Sequence, residues 1–287
     1  MAISRSGGGW GPPATFSLPN PTGLIFPSNN AANSDIRLLW SGANLLSRTA
    51  HTVIWLAKYV QQDGYYAVTW HSPNDGVWDD GAYSVGMHPY PCNGAFNAAG
   101  QATGGTGDTG TVHYQEIAGL LVATDCIAST NAPGPQDVFL VTKGTWYQSA
   151  RSVKVVGSDL VHTYWPDIAN NPTKFIVQSF ATASLGSAGG APAFYIGASD
   201  WTATGNANSE TISGTVRGIR LFSAALVIAD IQTEIAAIGN NAAASSAGQA
   251  ATWYINDNPT PSDVADKSGA GHSPSWANAN RPTLYTA

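Results

Sequence analysis

From Leu24 onward the sequence is a succession of short runs of β-branched and aromatic residues, each closed by Gly, Pro, Asn or Asp. Many short strands between turn residues point to a β-sandwich or jelly roll. The runs predicted as strands are Asp35–Trp40, His51–Tyr59, Tyr65–Trp70, Gly81–Met87, Ile117–Ala123, Asp137–Lys143, Ser152–Val156, Leu160–Trp165, Lys174–Phe180, Ala193–Gly197 and Ile212–Phe222. His51–Tyr59 is apolar on both faces, as a central strand must be. Asp63-Gly64, between this run and Tyr65–Trp70, is a hairpin signal. One segment departs from the pattern: Ile228, Ile231, Ile235 and Ile238 recur at helical spacing, and Gly239 follows as a C-terminal cap. The expected fold is an all-β, two-sheet antiparallel sandwich with one short late helix of about three turns.

Residues 1–22 are rich in Gly, Pro, Ser and Asn and read as an irregular N-terminal arm. The sandwich is expected over 23–240. Residues 241–287 read as a linker and a C-terminal extension, with one further strand at Thr252–Ile255. The extension carries Trp276 and Tyr285, which argues that it docks on the sandwich or on a neighbour.

Charged residues make up 10% of the chain, against about 25% in an ordinary globular domain. A surface of Gly, Ala, Ser, Thr and Asn suits packing against copies of itself, neutral glycans or other coats. The net charge is −6, with no run of Lys or Arg, so nucleic acid is not an expected partner. No stretch approaches the roughly 20 apolar residues of a membrane span. The N-terminal MAISRSGGGWGPP lacks the apolar region of a secretory signal. Cys92 and Cys126 are expected to be free thiols, although sequence does not show whether they meet.

The stretch FYIGASDW, followed by ISGTVRGIRLFSAALVIADIQTEIAAI, resembles the closing half of laminin-G-like, concanavalin-A-like domains. The matching positions are Ile196-Gly197, then Gly214, Val216, Ile219, Arg220, Leu221 and Phe222 in one strand, then Ala225-Leu226 and Ile231 in a helix. HTVIWLAKYVQQDGYYAVTWHS resembles the family's early hairpin, with Trp55 as the inward tryptophan. Val227 stands where the family has a Ser or Thr helix cap, and residues 88–170 show no resemblance. The likeness implies a two-sheet jelly roll used in carbohydrate binding, adhesion or protein contact. Fold does not fix function.

Glucanases of this fold use two glutamates on one strand, four residues apart. The chain has Glu116, Glu210 and Glu234, none four apart, so no such catalysis is expected. Asp79 and Asp80 are adjacent and would point to opposite faces of a strand. His113-Tyr114-Gln115 has the residue types of a polysaccharide lyase without its strand motifs, and no G-x-S-x-G elbow occurs.

Asp75, Asp79 and Asp80, with Asn74, gather oxygen ligands of the kind calcium takes, and laminin-G-like domains often bind one calcium at a loop rim. The same residues also make a plain Asx-rich turn, the commoner use of such a sequence. Trp10, Trp78, Trp201 and Trp276 fall in loops, where aromatics stack on sugars, anchor interfaces or cover the core edge. Trp78 beside the Asp cluster and Trp201 after Asp200 would suit a glycan-binding rim.

These features lead to the expectation of a virion protein, made in the cytoplasm: a capsid decoration or a tail or fibre component that forms a homo-oligomer or binds other virion proteins. A soluble carbohydrate-binding module and a carbohydrate-active enzyme with an atypical site are the alternatives.

Overall fold

The computed structural model describes residues 2–5, 23–26, 38–42, 45–47, 49–59, 70–73, 84–91, 109–117, 120–124, 140–141, 146–165, 167–170, 172–173, 175–182, 193–196, 214–240, 242–254, 264–276 and 283–285. The strands are β1 Ala2–Arg5, β2 Gly23–Phe26, β3 Leu38–Ser41, β4 Ala50–Tyr59, β5 Trp70–Pro73, β6 Ser84–Pro91, β7 Thr109–Ile117, β8 Leu120–Thr124, β9 Leu140–Val141, β10 Trp146–Val156, β11 Asp159–Trp165, β12 Ile176–Ala181, β13 Ala193–Ile196, β14 Gly214–Phe222, β15 Gln249–Tyr254, β16 Ser275–Trp276 and β17 Thr283–Tyr285. The helix α1 spans Ile228–Gly239, between β14 and β15. The described residues are thus mostly antiparallel β, with α1 the one helix among them. One set of hydrogen-bonded strands runs β1-β12-β11-β10-β4-β14-β2-β17, with β15 also on β14. A second set runs β16-β3-β13-β5-β6-β7-β8, with β9 on β7.

The centre of the first set is the five strands β12-β11-β10-β4-β14, and β4 shows why. On one face Val53, Trp55 and Ala57 join a buried cluster with Tyr147, Tyr164, Ile219 and, from the second set, Trp70 and Phe194. On the other face Ile54 and Leu56 join Phe222 and Ile231, Ile235 and Ile238 of α1. A strand covered on both sides carries apolar residues on both faces, as the run Val53–Ala57 does. Trp55 meets Trp70 edge-on at 5.6 Å, Trp70 stacks on Phe194 at 5.6 Å, and Phe194 touches Trp253 of β15 at 5.3 Å. These rings tie strands of both sets into one apolar cluster.

The helix has no side-chain cap at Val227. The segment that leads into the helix, Ala224–Leu226, is instead anchored to β4 and β10. Thr52 Oγ1 accepts the Leu226 N–H at 2.9 Å and donates to the Ala224 carbonyl at 2.9 Å, and Ser152 Oγ donates to the Leu226 carbonyl at 3.3 Å. Ile231, Ile235 and Ile238 are buried as the stripe predicts, but Ile228 is exposed and Gly239 is the last helical residue, with Asn240 as the cap.

β14 bulges between Val216 and Gly218, where α1 crosses closely. A Cβ at Gly218 would lie 3.0 Å from Ile238 Cγ2 and 3.3 Å from the Trp253 carbonyl oxygen. Gly218→Ala is therefore expected to cost about 1–3 kcal/mol through overpacking. A urea melt of the variant checks this, and an unchanged midpoint would mean that the helix shifts freely.

Several strands differ from expectation. β4 and β5 are not paired with each other: both edges of β4 are filled, by β10 and β14, and β5 pairs with β6 and β13, while Asp63-Gly64 and residues 65–69 lie outside the described residues. The run taken as Ile117–Ala123 is the meeting of two strands, β7 and β8, with Ile117 opposite Leu120. β10 begins at Trp146, six residues before the predicted Ser152, because Gln148, Ser149 and Arg151 are buried despite their polarity. The arm expected over residues 1–22 contributes β1, an edge strand on β12. Beyond residue 240, β15 pairs with β14, β16 with β3 and β17 with β2. Among the described residues, no helix is long and apolar enough to cross a membrane.

Candidate functional site

Strand register fixes where the candidate loops spring from. Pro73 at the end of β5 lies opposite Ser84 at the start of β6, so the connection 74–83, with Asp75, Trp78, Asp79 and Asp80, leaves from that end. β13 runs antiparallel to β5, with Ile196 opposite Trp70. The chain therefore departs towards Trp201 from the other end of the same strands. Leu38 of β3 lies opposite both Ile196 and Trp276, which brings β16 to the end from which Trp201 is carried. The backbone thus places Trp276 across β3 from Ile196, the root of the connection 197–213, and the root of the connection 74–83 at the opposite end. Trp10, Trp78, Trp201, Asp75, Asp79 and Asp80 themselves lie outside the described residues, as do Cys92 and Cys126.

The three glutamates have separate fates. Glu210 lies outside the described residues. Glu116 is in β7, opposite Ser84 and Leu121. Glu234 is fully buried on α1. Its Oε1 accepts the backbone N–H groups of Ser245 at 2.9 Å and Ser246 at 2.7 Å and the Ser245 hydroxyl at 3.1 Å. Its Oε2 pairs with Arg220 of β14, which also bonds the Tyr254 hydroxyl and the Ala242 carbonyl. Burial raises the Glu234 pKa, but these hydrogen bonds and the guanidinium outweigh it and hold the carboxyl below its ordinary value. With both oxygens occupied, Glu234 clips α1 and residues 242–246 to the sheet and is not presented to a substrate.

A second carboxylate organises the loop at the end where 74–83 is rooted. Asp266 accepts N–H groups from Thr252, Ser268 and His272 at 3.0, 2.9 and 2.9 Å, and the Ser268 hydroxyl at 2.8 Å. Burial opposes the charged form, yet these donors keep its pKa lowered. His272 in turn lies 4.9 Å from Trp40, and Trp253 Nε1 donates to the His272 carbonyl at 2.8 Å. Asp-Lys-Ser-Gly is an Asx-turn signature that could have marked this loop in the sequence.

Inside the cluster shared by the two sets lies a polar group that no pattern announced. His51, Arg151 and His162 are all fully buried or nearly so. Arg151 donates to His162 Nδ1. His51 Nδ1 donates to the Ser47 carbonyl at 2.6 Å, which places its lone pair on Nε2, an atom with no partner. Desolvation, followed by the nearby Arg151 charge, lowers the His51 pKa to about 3 despite the Ser47 bond. A histidine so held is neutral and structural. Among the described residues, no three His, Cys, Asp or Glu side chains gather to hold a metal ion.

No protein-family model matches the chain, and no curated protein matches it. Solved structures match in fold. Full-length tailspike protein 2 from an Escherichia coli O157:H7 bacteriophage aligns with a TM-score of 0.50 at 12% identity, over 86% of this chain and 29% of the tailspike. A candidate carbohydrate-binding protein from Bacteroides ovatus aligns with a TM-score of 0.51 at 12% identity, over 92% of this chain and 60% of that one. The enzymatically active domain of bacteriophage CBA120 tailspike protein 2 gives 0.48 at 12% identity, over 89% of this chain and 33% of that one. The chain therefore spans about a third or less of the tailspikes it matches.

Proposed function

We propose that this chain is a non-catalytic binding and assembly module of a phage virion, a tail or fibre component or a capsid decoration, built as a concanavalin-A-like, laminin-G-like jelly roll. The observation that carries the reading is the fold likeness to a phage tailspike and to a candidate carbohydrate-binding protein. The ring cluster Trp55, Trp70 and Phe194, shared by two antiparallel sets of strands, supports the two-layer jelly roll. The scarcity of charge supports contacts with neutral glycans and with other subunits. The end of the strands that carries Trp276 and roots the Trp201 connection is the proposed glycan-facing surface.

The full chain is expected to bind at least one bacterial surface polysaccharide on a glycan array, to release no reducing ends from it, and to sediment above its 29.8 kDa monomer mass. Trp201→Ala or Trp276→Ala should weaken glycan binding about tenfold or more, as loss of an anchoring aromatic does. Reducing ends released by wild type but not by Glu116→Ala would replace the module with a hydrolase. A monomer that binds glycan would instead be a free lectin-like module.

A further inference from the structure

We propose that β1 is an exchanged strand: in the assembly, Ala2–Arg5 of one copy completes the β12 edge of a second copy. The inference rests on the assembly reading above and names its contact. Within the described strands, β1 is hydrogen-bonded to β12 alone, through the register Ala2↔Ser179, Ile3↔Gln178, Ser4↔Val177 and Arg5↔Ile176. Without it, β12 would present an open row of N–H and C=O groups, a ready template for a strand from another chain.

The next strand in sequence, β2, is not near this edge. It lies on the far side of β14, with β12, β11, β10, β4 and β14 between it and β1. At ~4.8 Å per strand step this is roughly 29 Å across the sheet. Residues 6–22 join the two, and 17 residues reach at most about 60 Å. The connection is thus long enough to deliver β1 to its own edge or to that of a neighbour.

The ladder is the same in either case, so hydrogen bonding does not choose between them. The choice is set by the local concentration of competing edges. Intramolecular pairing weakens roughly as the −3/2 power of tether length, whereas packed copies hold a neighbour's edge at fixed high concentration. Exchange of an identical element is a low-cost route to an oligomer.

The test uses the opposed pair Ile3 and Gln178, whose Cα atoms face each other across the ladder. In a full chain with Cys92→Ser and Cys126→Ser, Ile3→Cys plus Gln178→Cys is oxidised and run on a non-reducing gel. Most of the protein is expected as covalent dimers or larger species. Mixing a chain that carries only Ile3→Cys with one that carries only Gln178→Cys should give the mixed dimer. Closure within single chains that still sediment as an oligomer would overturn strand exchange and leave the assembly reading standing. Single-chain closure in a monomer would overturn both. Absence of any cross-link in either experiment would also overturn the exchange.

Discussion

Stability is expected to fall by about 1.4 kcal/mol for each pH unit of acidification between pH 6.5 and about 3, because of His51. In the unfolded chain this histidine takes up a proton near its ordinary value of 6.5, whereas in the folded protein it stays neutral down to about 3. Across that window the unfolded state binds more protons, so acid favours unfolding. The contribution is fully present above the unfolded pKa and is lost as the pH falls to the folded one. Glu234 and Asp266, both held below their ordinary values, act in the same direction but only at lower pH, once unfolded carboxylates begin to protonate. Urea midpoints measured from pH 7.5 to 4.5 check this against His51→Asn, which keeps a donor for the Ser47 carbonyl and removes the titration. The variant should lose most of the slope between about pH 6.5 and 5. A variant with the wild-type slope there would assign the acid sensitivity to another group.

The second large effect is expected at Arg220 and Glu234, which are both fully buried. Removing one member leaves the other charged and uncompensated in the interior, which costs about 3–5 kcal/mol. Glu234→Ala should therefore lower the urea midpoint strongly, and it also frees the N–H groups of Ser245 and Ser246. Replacing both members with apolar residues of similar size, Arg220→Met with Glu234→Leu, should recover much of the loss, since neither buried charge remains. A double-mutant cycle reads the outcome. Strict additivity of the two single losses would mean that the pair does not act as a unit.

Local pattern made the centre of the fold legible and left its pairings dark. β4, β11, β14 and α1 stand where β-branched runs and the isoleucine stripe place them, because their burial on one or both faces is written in their own residues. The expected pairing of β4 with the next strand does not occur because a local turn preference knows nothing of distant competitors, and here residues 146–154 and 214–222 claim both edges of β4. The first half of β10 was hidden by Gln148, Ser149 and Arg151, polar residues that are buried in company the sequence does not display. At the level of the site, Glu234 could be placed on the late helix, but its partner lies 14 positions away and is reached only when the helix folds back on β14. His51 gave no sign, since its character comes from burial and then from Arg151, a residue 100 positions away.

The two neighbours of β4 also set a timetable for its making. Thr52 is bonded to Ala224 and Leu226, 172 and 174 residues further on. On the ribosome, the apolar residues Ile54 and Leu56 emerge long before the β14 and α1 residues that cover them. β10 can pair with β4 about halfway through synthesis, but the face of β4 that carries Ile54 and Leu56 stays uncovered until Phe222 and the isoleucines of α1 have emerged. Such non-local topologies fold slowly and aggregate while they wait. Yield from an overexpressing cell should accordingly respond to growth temperature and to chaperone supply more than to the stability of the finished protein.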